Sequence, residues 1–280
     1  MPELAYLNGE FLPIDEALVP IEDRGYQFGD AVYEFIASYN GRLFYLEEHL
    51  DRLERSLKGL YFPPVSRETL RKAVLTLFEK AEIQRAGIYI QISRGVSPRN
   101  HAFPDGVLPQ IVMTIREVEE KPPEMRKNGA TAITVEDIRW GRCDLKTVQL
   151  LPNVLAKQQA LAAGAFDAIF VSSEGVVREA TSSNVCIVAD GVVITHPLTP
   201  QILPGITRMA VIDLCRELNM PVLERFFKTD ALYGAEEAFL TGTVTEVLPI
   251  VTIDDRPIGD GRVGPISTRL NEALRNRSGT

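Results

Sequence analysis

The chain has 280 residues, 45% hydrophobic and 24% charged. That excludes intrinsic disorder and leaves enough length to bury a core without staples. The net charge of −8 excludes a dedicated nucleic-acid binder, and three widely spaced cysteines (Cys143, Cys186, Cys215) exclude a disulfide scaffold.

In chain order, residues 4–7 and 11–12 around Asn8-Gly9 read as a hairpin with a type I′ turn, and Asn40-Gly41 between 32–39 and 42–45 reads as a second. Residues 46–60 carry Leu50, Leu53, Leu57 and Leu60 at helical spacing. Residues 67–80 repeat the pattern behind a Ser66 N-cap. Strands are predicted at 87–93 and 110–115, joined by a loop rich in cations and prolines. Glu117-Val-Glu-Glu-Lys-Pro-Pro-Glu is the best linker candidate. It divides a small N-terminal domain, 1–120, from a larger one, 121–280. Beyond it come a strand at 130–135, a helix at 154–163 capped by Asn153 and ended by Gly164, and a strand at 168–171. A hairpin at 185–188 and 192–195, a helix at 207–218 and strands at 238–240 and 248–253 follow. The order is α+β in character.

Five features bear on chemistry. Lys146, in Arg142-Cys-Asp-Leu-Lys-Thr-Val-Gln, reads either as a partly desolvated amine usable as nucleophile or base, or as a solvated surface lysine. Ile202-Leu-Pro-Gly-Ile-Thr-Arg leads into a helix, and reads as an anion site at its N-terminus or as a plain cap. Phe239-Leu-Thr-Gly-Thr could add donors to the same anion. Glu179 precedes a cluster of small polar residues and reads as a functional acid or an exposed turn. Arg94, Arg99 and His101 share one loop, where Arg99 could fork a carboxylate with help from His101. No metal is expected, because His49, His101 and His196 are scattered. The start lacks a secretory signal pattern and no stretch reaches membrane-span length, so a cytoplasmic protein without a membrane partner is expected.

Asp23-Arg-Gly-Tyr-Gln-Phe-Gly-Asp-Ala-Val-Tyr-Glu, Glu48-His-Leu-Asp-Arg-Leu, Arg94-Gly-Val-Ser-Pro-Arg-Asn-His-Ala-Phe-Pro, Asp137-Ile-Arg-Trp-Gly-Arg-Cys-Asp-Leu-Lys and Leu203-Pro-Gly-Ile-Thr-Arg stand in this order. Together they resemble the fold-type IV, or class IV, pyridoxal-phosphate aminotransferases, and within them the D-amino acid branch. The resemblance implies a two-domain α+β chain, with a small α/β N-terminal domain and a larger strand-rich pseudo-barrel. It implies pyridoxal 5′-phosphate as cofactor and ping-pong transfer of an amino group from a D-amino acid to a 2-oxo acid. Lys146 would carry the cofactor as a Schiff base and move the Cα proton. Glu179 would pair with the pyridine nitrogen. Arg52, Ile206, Thr207, Gly242 and Thr243 would hold the phosphate, and Leu203 would pack on the ring. Tyr33, Arg99 and His101 would trap the substrate α-carboxylate, with the Arg99/His101 loop shared across a homodimer interface. Branched-chain aminotransferases, R-selective amine transaminases and aminodeoxychorismate lyases resemble the same scaffold. They do not usually carry a loop like Ser97-Pro98-Arg99-Asn100-His101.

Overall fold

The computed structural model describes residues 3–279. The chain divides into two compact units. The first comprises residues up to Glu119 together with Leu145–Gln149, and the second comprises Glu120–Asp144 and the residues from Leu150 onward. The short excursion matters, because it assigns Lys146 to the first unit and not to the larger one in which it was expected.

The first unit holds strands β1 (Leu4–Leu7), β2 (Glu10–Pro13), β3 (Ala31–Tyr39), β4 (Arg42–Leu43), β5 (Ala86–Ser93) and β6 (Gln110–Glu117). They form an antiparallel sheet in the order β2-β1-β6-β5-β3-β4. Both predicted hairpins form, and Asn8 (φ 50°), Gly9 (φ 114°), Asn40 (φ 47°) and Gly41 (φ 73°) adopt the positive φ that such turns demand. Helices α1 (Arg24–Phe28), α2 (Leu46–Gly59) and α3 (Arg67–Ala81) complete the unit. Ser66 caps α3, its Oγ accepting from the Thr69 N–H at 3.2 Å. Alternation in β5 sends Ile88, Ile90 and Ile92 into a core with Leu50, Leu53, Leu57, Leu70, Val74 and Leu77. Each such side chain contributes about 1.5–3 kcal/mol of burial.

The second unit contains α4 (Pro123–Asn128), β7 (Ala130–Glu136), α5 (Leu151–Ala162), β8 (Asp167–Val171), β9 (Val177–Ala180), β10 (Asn184–Ala189) and β11 (Val192–Thr195). It continues with α6 (Ile206–Glu217), β12 (Val222–Glu224), α7 (Thr229–Tyr233), β13 (Glu237–Gly242), β14 (Glu246–Ile253), β15 (Arg256–Pro257) and α8 (Pro265–Ser278). Six strands run β10-β13-β14-β7-β8-β9, and β9 pairs back to β10, closing the ring. The closing pair is Asn184 with Glu179. Val185, Ile187, Leu240, Leu248, Ile250 and Ile169 fill the core. This closed sheet is the strand-rich pseudo-barrel that the resemblance implies.

Three local differences have physical causes. The expected linker contains a short helix, α4, because Pro123 at its first position fixes a helical φ and needs no donor there. Asn153 does not cap α5, which starts earlier with Pro152 in its first turn. Asn153 lies inside it and donates from Nδ2 to the Thr181 carbonyl at 2.8 Å. Helix α8 was not anticipated, because its buried stripe mixes Leu270 and Leu274 with Ser267 and Asn271, which blurs the apolar period.

Candidate functional site

In the first unit, the 145–149 segment is sewn onto β3 and α2. Leu145 is buried against Gly59, where any Cβ would come within 2.6 Å of it. The Tyr33 N–H donates to the Lys146 carbonyl at 2.9 Å, the Lys146 N–H donates to Ser56 Oγ at 3.1 Å, and the Val148 N–H donates to the Ala31 carbonyl at 3.2 Å. The backbone on both sides of Lys146 is therefore fixed. Its Nζ lies 4.2 Å from the centre of the Tyr33 ring, a contact that favours a cation over the ring face. Tyr33 in turn packs on Tyr89, whose hydroxyl burial pushes up to about 12. Lys146 is thus a positioned amine and not a freely solvated one.

Beside it sits a cluster that pattern reading missed. Helix α2 buries His49, Arg52 and Ser56 along with its leucines, so a polar stripe runs down the face that packs on β3. Glu34, fully buried on β3, answers it. Arg52 Nε donates to Glu34 Oε1 at 2.6 Å, Arg52 Nη2 donates to Oε2 at 2.8 Å, and His49 Nδ1 lies 2.7 Å from Oε2. Burial raises the Glu34 carboxyl, but the charge and hydrogen bonds of Arg52 and His49 outweigh it and hold the group well below the usual carboxylate range. Burial lowers the His49 imidazole, against the pull of its hydrogen bond to Glu34. With Glu34 ionised, the shared proton belongs on His49 Nδ1. Arg52, expected at the phosphate, is fixed by this bidentate pair. The signal was available: a carboxylate in an otherwise apolar strand, facing polar residues at helical spacing.

In the second unit, Glu179 is buried at the closing seam and is not an exposed turn residue. Its carboxylate accepts from Arg139 Nη1, from Asn184 Nδ2 at 3.0 Å and from the Leu203 N–H at 2.9 Å. Arg139 is itself clamped by Asp137, with Nε to Oδ1 and Nη2 to Oδ2 both at 2.9 Å. Burial raises the Glu179 carboxyl despite Arg139, whereas for Asp137 the bonds from Arg139 and Arg178 win over burial and lower it. Arg139 is committed first to Asp137, and Glu179 is left as a buried carboxyl that a further cation would hold ionised. Neither Asp137 nor Arg139 was singled out, although their i, i+2 spacing puts them on one side of an extended segment. Burial pushes the nearby Cys143 thiol up to about 11, so it is no nucleophile at neutral pH.

The start of α6 lies next to this carboxylate. Gly205 is its N-cap, no side chain caps it, and Ile206 and Thr207 in its first turn are buried. A buried helix start without a side-chain cap leaves backbone N–H groups available to an anion. Gly205 is required by space: a Cβ there would lie 2.0 Å from Asn184 Oδ1, and Asn184 Nδ2 also donates to the Leu203 carbonyl at 2.9 Å. Gly205→Ala is expected to displace Asn184 from Glu179 and cost about 1–3 kcal/mol, read by urea unfolding. Gly242 closes β13, and Thr243 opens the turn after it. A Cβ at 242 would meet Ser183 Oγ at 2.8 Å, so a side chain there would have to displace Ser183.

Arg99 and His101 are exposed. Both gather on Phe28, with the Arg99 Cζ 4.8 Å from the ring centre and the His101 ring 5.4 Å away. Within one chain they accompany α1, while Tyr33 accompanies Lys146. Among the described residues no three His, Cys, Asp or Glu side chains gather to hold a metal, and no helix is long and apolar enough to cross a membrane.

Taken unit by unit, these donors fit pyridoxal 5′-phosphate. An anchored lysine amine suits an aldehyde, a buried carboxylate suits a ring N–H, and an uncapped helix start beside a glycine with no room for a side chain suits a phosphate.

The sequence agrees with that class of protein. Residues 31–253 match the profile of the amino-transferase class IV family, and the chain belongs to this family. It is 42% identical to a D-alanine aminotransferase of Bacillus licheniformis over 96% of this chain and 95% of that protein. It is 41% identical to a D-alanine aminotransferase of Staphylococcus aureus (strain N315), over 97% and 96%. Among solved structures, the T.th. branched-chain amino acid aminotransferase with pyridoxamine 5′-phosphate superposes with a TM-score of 0.92 at 29% identity, covering 99% of this chain and 94% of that one. The branched-chain enzyme of Escherichia coli gives 0.92 at 27%, with the same coverage.

Proposed function

We propose that the chain is a pyridoxal 5′-phosphate-dependent D-amino acid aminotransferase, moving an amino group from a D-amino acid such as D-alanine to a 2-oxo acid such as 2-oxoglutarate. Lys146 carries the proposal: its backbone is tied on both sides and its amine sits over Tyr33. The D-alanine aminotransferases, at 41–42% identity, support this choice over the branched-chain enzymes at 27–29%.

Bound pyridoxal 5′-phosphate supplies an aldehyde that captures an amine and a ring that withdraws electrons from the carbon beside it. Lys146 Nζ would be the amine that holds the cofactor's aldehyde in the resting enzyme. Once displaced, the same amine would be the base that moves the substrate Cα proton. Glu179 would hold negative charge against the ring nitrogen and so favour a proton there. Arg139 and Asn184 keep the Glu179 carboxylate aimed. The N–H groups of Ile206 and Thr207 would hold the phosphate with Gly242, Thr243 and Arg52, and Leu203 would pack against the ring. Arg99, His101 and Tyr33 fix the α-carboxylate, so that one enantiomer offers its Cα hydrogen to Lys146. The protein works as a cytoplasmic homodimer, with the Arg99/His101 loop serving the neighbouring subunit's site.

A half-reaction tests this reading. D-alanine and L-leucine are added separately to the holoenzyme while its absorption spectrum is followed. D-alanine is expected to convert the cofactor to the pyridoxamine form. Conversion by L-leucine alone would overturn the D-amino acid assignment.

A further inference from the structure

Arg24 is a buried arginine for which the reaction has no use. It is only 3% exposed, and a buried guanidinium is costly unless paired. Its Nε donates to Asp30 Oδ2 at 2.9 Å, Nη1 donates to the Asn100 carbonyl at 2.5 Å, and Nη2 reaches the His101 carbonyl at 3.5 Å. Its Cζ lies 4.7 Å from the Phe28 ring centre. That ring is the one on which Arg99 and His101 gather. The Arg24 N–H also donates to the Gly95 carbonyl at 2.9 Å, so one residue grips the loop at its start and in its middle.

The rest of α1 is built to hold Arg24 still. Asp23 caps the helix, accepting from the Gly25 N–H at 2.7 Å and from Ser93 Oγ at 2.6 Å. Gly25 has no room for a side chain, since a Cβ would lie 2.9 Å from Asp23 Oδ1. Asp30 also binds Arg94 Nε at 2.8 Å, and Arg94 begins the loop. Asp30 thus fixes two arginines, one at the loop's root and one under its tip.

We propose that Arg24 is the positioning residue of the substrate-carboxylate loop: it clamps the Asn100 and His101 carbonyls and, with Phe28, sets the direction of Arg99 and His101. The inference rests on the reading above, in which those two cations bind the α-carboxylate. An exposed arginine alone loses side-chain freedom when it is fixed. A loop already fixed at two carbonyls and stacked on a ring pre-organises the trap, which lowers the cost of binding a small anionic substrate. Arg24 acts through the loop and touches no substrate.

The test compares Arg24→Met, Arg24→Lys, Phe28→Leu and Arg99→Met holoenzymes with D-alanine as donor. Arg24→Met is expected to raise KM about tenfold with kcat little changed, the ratio for one lost charge-assisted hydrogen bond. Arg24→Lys, which keeps a charge and one donor, recovers part of that loss. Phe28→Leu raises KM by a smaller factor and carries the test if Arg24→Met does not fold. The cofactor spectrum and the oligomeric size stay as in the parent. If Arg99→Met raises KM and neither Arg24→Met nor Phe28→Leu does, the positioning role is overturned while the carboxylate reading stands. If Arg99→Met itself leaves KM unchanged, the carboxylate reading falls, and the inference falls with it. A drop in kcat or loss of cofactor at constant KM assigns Arg24 a structural role only and also overturns the inference.

Discussion

Lys146→Ala is expected to abolish turnover and, with it, borohydride-fixable attachment of the cofactor. Two separate losses coincide. In the proposed mechanism the amine is both the covalent anchor and the base that carries the Cα proton. A positioned proton-transfer group alone contributes roughly 10²–10⁴ in rate, so a residual rate at or below that fraction is anticipated in a steady-state assay. The fold should survive. The segment is held by the Lys146 backbone, by Leu145 against Gly59 and by the Thr147 bridge to Val32, none of which uses the Lys146 side chain. Unchanged turnover by a folded Lys146→Ala protein would remove the lysine from the mechanism.

Glu34→Gln is expected to destabilise the first unit strongly. The substitution preserves shape but strips the charge that neutralises Arg52 inside the core. Leaving a buried cation uncompensated costs about 3–5 kcal/mol, measurable by urea unfolding at pH 7. The pH dependence follows from the sign of the shift. The folded-state pKa of Glu34 is depressed, so its stabilisation is fully present above the unfolded carboxyl value of about 4.3 and is lost as pH falls below it. Between neutral pH and about pH 5 the parent and Glu34→Gln should differ by a nearly constant amount, and below that the gap should close. A gap that widens in acid would mean that the carboxylate is not the ionised partner.

Much of the fold was legible locally. The Asn8-Gly9 and Asn40-Gly41 hairpins could be read because only such pairs tolerate two successive positive φ values. Helices α2 and α3 followed from their leucine stripes, and Ser66 marked a start that the structure keeps. What escaped depended on distant partners. Nothing near Lys146 says that its segment packs with β3 and α2, because the contacts that hold it are more than 80 residues away in sequence. Glu34 looked like one charge in a strand until His49 and Arg52 came to it from α2. Glu179 looked like a turn residue because its strand is only four residues long and pairs at the closing seam of the ring.

The site was legible in motifs more than in physics. Taken alone, Lys146, Glu179 and the Gly205 turn each had a bland alternative, and only their order along the chain pointed to one family. The structure supplied what motif order could not: the Asp137–Arg139 clamp behind Glu179, the Glu34 network beside Lys146, and Arg24 beneath the loop of Arg99 and His101. Each is a buried charge whose purpose becomes visible only with its partner.

The most direct measurement supplies the holoenzyme with 15N-labelled D-alanine and 2-oxoglutarate, and resolves the glutamate formed by chiral separation with mass detection. Equal amounts of pyruvate and 15N-labelled D-glutamate are predicted. Labelled L-glutamate, or pyruvate appearing with no amino acceptor present, would contradict the account.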